Sequence, residues 1–160
     1  MSNPMTSIGI VHTVLSVIPV VAGLWCLVRD RRIDPATAAG KLYVAGLVLS
    51  VLSSFPLHWF NPAHALGIVS LIAAFGGMLA PGLSFLGKAR PYLAAFGLSF
   101  SFFLLNIPAV NETLSRLPPS NPIGNGPESA PVQHTLMAWA VIFVIGAMAQ
   151  QWMVYREQRR

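Results

Sequence analysis

Long apolar runs separated by short polar connections dominate the chain. An α-helix rises about 1.5 Å per residue, so roughly 20 apolar residues span about 30 Å of bilayer hydrocarbon. Five stretches meet that length: residues 8–28, 42–60, 64–86, 92–110 and 132–155. Each is expected to be helical, because hydrocarbon offers no water to satisfy backbone N–H and C=O groups. The pattern therefore predicts an all-α, polytopic membrane protein with five transmembrane helices in a single bundle over residues 1–160. Within the third stretch, Gly76-Gly77 and Pro81-Gly82 predict a kink or an early end. Residues 111–131, rich in Pro, Asn, Gly and Ser, read as a long loop with one short helical turn at 112–117.

Composition supports this reading. With 54% hydrophobic and 9% charged residues, the chain could not coat a water-soluble domain of 160 residues. The net charge of +5 does not form a basic stripe interleaved with aromatics, so no nucleic-acid partner is expected. Residues 1–7 carry no Lys or Arg, and the apolar stretch after them is too long for a signal h-region, so no cleavable signal is expected. Nine of the ten basic residues fall on one side of a five-span layout; only Arg116 falls on the other. The positive-inside rule then predicts the N-terminus outside and the C-terminus inside, as for a bacterial inner-membrane protein.

That orientation brings the histidines to one level. His12 lies about 6 Å below the outer end of the first span, and His134 about 3 Å into the last. His58 and His64 flank the Asn61-Pro62 turn between the second and third spans. Imidazole suits zinc, copper and haem iron, and a pair facing one another across a bundle holds a b-type haem. The set predicts a haem b or copper site with His12 and His134 as primary ligands and His58 and His64 as a second pair or proton carriers. Arg116 offers a guanidinium to a propionate, and Glu112, four residues earlier, pairs with it or roofs the pocket. Asn106 is expected to hydrogen-bond between helices or to orient a ligand group. The plainer alternative is that interfacial histidines simply tolerate the headgroup zone.

Phe96, Phe100, Phe102 and Phe103 read as helix and lipid packing. Cys26, the single cysteine, excludes an internal disulfide and a thiolate zinc cluster. No Ser-His-Asp set, P-loop or dinucleotide fingerprint occurs, which argues against hydrolase and nucleotide-driven activities.

The segments VHTVLSVIPVVAGLW, RDRRIDPATAAGKLYVAGLVLS and IPAVNETLSRLP carry a resemblance. With His12 in the first helix, then Gly40, Lys41 and Tyr43, then Glu112 to Pro118, the chain resembles small multi-span bacterial inner-membrane proteins of unknown function. The resemblance implies architecture and a bacterial source, and no catalytic residues. The expected function is a haem- or copper-binding redox or electron-transfer component. The alternatives are a non-catalytic accessory subunit of a larger membrane complex, or a small transporter. A homo-oligomer or other membrane subunits are the expected partners besides the lipid bilayer.

Overall fold

A computed structural model describes residues 7–57 and 61–160. The helices are α1 (Ser7–Asp30), α2 (Ala38–Ser54), α3 (Pro62–Leu79), α4 (Arg90–Arg116) and α5 (Ala130–Gln158), and no strand occurs among the described residues. Two short 3-10 helices, Ala80–Gly82 and Ser84–Ala89, join α3 to α4. The early end predicted for the third stretch is thus real: α3 stops at Leu79, and Pro81 opens the tighter turn that follows.

Four apolar segments are long enough to cross a membrane: α1, α3 with its 3-10 extension, the segment that includes α4, and α5. The second stretch corrects the expectation. Its helix starts earlier and ends earlier than the apolar run suggests, with Thr37 as N-cap, and its 17 residues reach only about 26 Å. Phe55, Pro56 and Leu57 belong to the turn after α2 rather than to the helix. The fourth helix errs the other way: α4 runs on to Arg116, so the loop predicted at 111–131 begins at Leu117.

α4 is the hub, packing on α3, α5 and α1, while α1 packs along α2. The α3–α4 contact is close because two glycines meet. A methyl group on Gly97 would stand 2.6 Å from the Ala73 carbonyl oxygen and 2.9 Å from Gly77 Cα. Small residues of this kind let membrane helices bring their backbones together, where dispersion and packing hold them. Gly76, beside Gly77, meets nothing within 4 Å.

Buried polar groups tie the remaining pairs. Tyr43 of α2 is fully buried, and its hydroxyl lies 2.6 Å from Ser101 Oγ on α4. Ser101 already donates to the Leu98 carbonyl, so Tyr43 is the donor in that pair. Gln150 of α5 accepts from Ser99 of α4 at 2.9 Å and donates to the Arg31 carbonyl at 3.0 Å, which links three parts of the chain. Between α4 and α5 the rings of Phe96, Phe100, Phe103 and Phe143 stack or tilt together, and Trp139 Nε1 donates to the Phe103 carbonyl. Phe102 lies between Tyr43 of α2 and Trp139 of α5, its ring centroid 6.1 Å from the first and 6.0 Å from the second.

Gly40, Lys41 and Tyr43, singled out in the sequence, now have physical roles. A Cβ on Gly40 would fall 1.8 Å from the Asp34 carbonyl oxygen, so the turn into α2 closes only over glycine. Tyr43 is the core hydroxyl just described, and Lys41 is exposed. Replacing Gly97 by Ala is expected to force α3 and α4 apart and cost about 1–3 kcal/mol. Gly76→Ala should be neutral or slightly stabilising through helix propensity. Thermal unfolding of both variants in detergent checks the pair; equal effects would contradict the close backbone contact.

Candidate functional site at the histidine end

Alternating helix direction places His12, His64 and His134 at the end of the bundle opposite the basic connections. His58 lies outside the described residues.

His64 sits at the third position of α3, in the place a capping box usually fills with Glu or Gln. Asn61 caps α3, its Oδ1 accepting from Ala63 N at 2.9 Å and His64 N at 3.2 Å. In return Asn61 N–H donates to His64 Nδ1 at 3.1 Å. The second nitrogen, Nε2, lies 3.1 Å from the Ser54 carbonyl, which can only accept, so the proton is on Nε2 by this network. Both nitrogens are engaged, and the ring packs against Phe55 with centroids 4.8 Å apart. Buried at 2% exposure, His64 in this arrangement offers no lone pair to a metal; it joins the end of α2 to the start of α3.

His12 is different. Ser53 Oγ gives its proton to the Ser50 carbonyl at 3.0 Å, so at 2.9 Å from His12 Nδ1 it must accept. The ring is thereby held as the Nδ1–H tautomer, an assignment made from the network. Its Nε2 keeps a lone pair, with Ser16 Oγ at 3.5 Å, the outer limit of a hydrogen bond. Ser16 Oγ in turn lies 2.7 Å from Ser50 Oγ. The result is a seam of one imidazole and three hydroxyls between α1 and α2.

Among the described residues, the other expected site members do not join it. His134 is exposed on the first turns of α5, and α5 packs principally on α4, whereas α1 packs on α2 and α4. The helix order therefore does not set α1 face to face with α5, as a haem pair across His12 and His134 requires. Arg116 and Glu112 form an exposed i,i+4 ion pair near the end of α4. Asn106 Nδ2 donates to the Phe102 carbonyl of its own helix at 2.8 Å, instead of to another helix. Among the described residues no group of three or more His, Cys, Asp or Glu side chains is arranged to hold a metal ion.

Ser16, Ser50 and Ser53 are the members of this site that the sequence reading passed over. Their signal was present: His12 and Ser16 are spaced i,i+4, and Ser50, Ser53 and Ser54 recur at i, i+3 and i+4 in an apolar helix. No protein-family model matches the chain, and the searches of curated proteins and of solved structures returned no significant match.

His64→Ala is expected to cost about 1–3 kcal/mol, because Asn61 N–H and the Ser54 carbonyl lose their partner. His64→Gln should recover part of this by restoring an ordinary capping box. Unfolding midpoints of the three proteins check the order; an unaffected Ala variant would remove the capping role.

Proposed function

We propose that the chain is a membrane-embedded subunit of a larger assembly, acting by helix association. The observation that carries this reading is α5. Of its apolar central stretch only 6% is buried within the chain, against 39% for the segment that includes α4. On its uncovered side a Cβ added at Gly146 would meet nothing within 4 Å, and Ala149 is exposed close by. Small residues on an unpartnered membrane helix suit close packing against another helix. Within this reading α2 is a fifth, short crossing. The histidine end and the N-terminus lie outside and the basic end lies inside a bacterial inner membrane, as the distribution of Lys and Arg favours.

A second reading, the haem- or copper-binding redox component, is supported by His12 alone. Metal-bound imidazoles characteristically donate their other N–H to a fixed acceptor, as His12 Nδ1 does to Ser53, leaving Nε2 for the metal. One nitrogen is not a site, so the described residues do not by themselves fit either group. A second ligand would come from His58 or from another subunit.

A photo-crosslinking residue at Gly146 or Ala149, activated in intact membranes, is expected to yield protein adducts; the absence of any protein adduct at both positions would overturn the assembly reading. For the second reading, the assembly purified from iron-replete cells should carry a Soret band, or bound copper, that His12→Ala removes. A colourless, metal-free assembly would sink it.

A further inference from the structure

The basic end of the bundle holds a cleft of about 350 Å³ between the turn after α1 and the last turns of α5. We infer that this cleft is a binding site for a phosphate group, supplied by the headgroup of a membrane phospholipid and held by Arg31 and Arg32.

The first observation is the backbone of Arg31. It adopts φ +58, the left-handed conformation that follows many helix ends and is usually given to Gly. Among the described residues no other non-glycine has a positive φ. The conformation is held in place from inside, because the buried Gln150 amide donates to the Arg31 carbonyl. The position favours glycine, yet it carries a long cation. An outlier kept where a simpler residue fits better points to a use for its side chain.

The second observation is where that side chain ends. The Arg31 guanidinium lines the cleft, and its hydrogen bond is to the Met153 sulfur at 4.0 Å, a weak acceptor. It makes no ion pair among the described residues, although the cleft contains carboxylates. None of those pairs with Arg31, and two of the three pair with other arginines. Asp30 pairs with Arg29 at 3.8 Å, Asp34 Oδ1 accepts from Ala36 N at 2.9 Å, and Glu157 pairs with Arg32 at 3.3 Å through one oxygen. Arg31 is thus a spare guanidinium beside Arg32, which is only singly bonded. Two adjacent forks of N–H donors suit the oxygens of a phosphate.

The third observation gives the source. Trp152 and Tyr155 stack near this end of α5, and Arg159 lies 4.5 Å over the Tyr155 ring. Trp and Tyr at a helix end mark the headgroup level of a bilayer, and anionic headgroups gather at basic protein surfaces there. A phospholipid is therefore the phosphate carrier at hand. This inference is independent of the assembly reading.

The test uses delipidated full-length protein titrated with phosphatidylglycerol and followed by native mass spectrometry. Arg31→Gly relieves the left-handed strain, so it should fold with an unchanged or raised unfolding midpoint. It is expected to bind the lipid about tenfold more weakly, the loss for one charge-assisted contact. Lys88→Gln, which alters a basic residue of the α3–α4 turn, should bind as the unaltered chain does. Lipid that resists displacement by inorganic phosphate confirms the headgroup as source, and lipid that inorganic phosphate displaces assigns the site to phosphate in general. Equal lipid binding by Arg31→Gly and the unaltered chain, or an equal loss in Lys88→Gln, would overturn the assignment.

Discussion

The arrangement of this bundle depends on one constraint: burying a polar atom in an apolar slab is costly unless it finds a partner inside the protein, a condition that the pairs between helices meet and that Ser70 Oγ of α3 does not. Tyr43 and Ser101 meet this condition between α2 and α4, Ser99 and Gln150 between α4 and α5, and His12 with Ser53 between α1 and α2. Hydrophobic attraction does little to choose among helix pairings in lipid, since the tails are as apolar as the side chains. Packing and these few hydrogen bonds make the choice. The closest backbone contact, Gly97 against Ala73 and Gly77, supplies the packing half of the argument.

The same constraint separates histidines that look equivalent in one dimension. His64 has been absorbed into the fold as a cap, its Nδ1 and Nε2 both occupied by backbone groups. His12 is held firmly at Nδ1 by Ser53 and only at the limit of hydrogen-bond distance at Nε2 by Ser16. His134 stands in the open on a helix that reaches the rest of the molecule mainly through α4. Sharing one end of a bundle is thus a much weaker condition than converging on one point. Of the three described histidines, only His12 has a ring nitrogen not held by a backbone group while lying within the helix packing.

Much of the architecture was legible in the sequence because hydrocarbon imposes a length. The all-α class and the approximate positions of the apolar helices follow from run length, and the break at Pro81-Gly82 follows from backbone chemistry. The limits of α2 were misread because hydropathy does not distinguish an apolar helix from the apolar turn after it. Phe55 and Leu57 continue the hydrophobic run, but Pro56 and the Asn61 cap belong to the turn. The site was less legible. Depth along each helix can be counted from the sequence, whereas rotation about the axis and the order of helices depend on contacts such as Gly97 with Gly77. The serines of the α1–α2 seam carried a readable i, i+3, i+4 signal; the tautomers they impose follow only from which hydroxyl has already given away its proton.

The central claim is that hydrogen bonding fixes the two inner histidines in opposite neutral forms. Solid-state NMR of ¹⁵N-histidine-labelled protein in lipid bilayers at mildly alkaline pH tests it most directly, with His12→Gln and His64→Gln spectra providing the assignments. The account requires a protonated Nδ1 on His12 and a protonated Nε2 on His64. A His12 ring protonated at Nε2, or a His64 ring protonated at Nδ1, would contradict it.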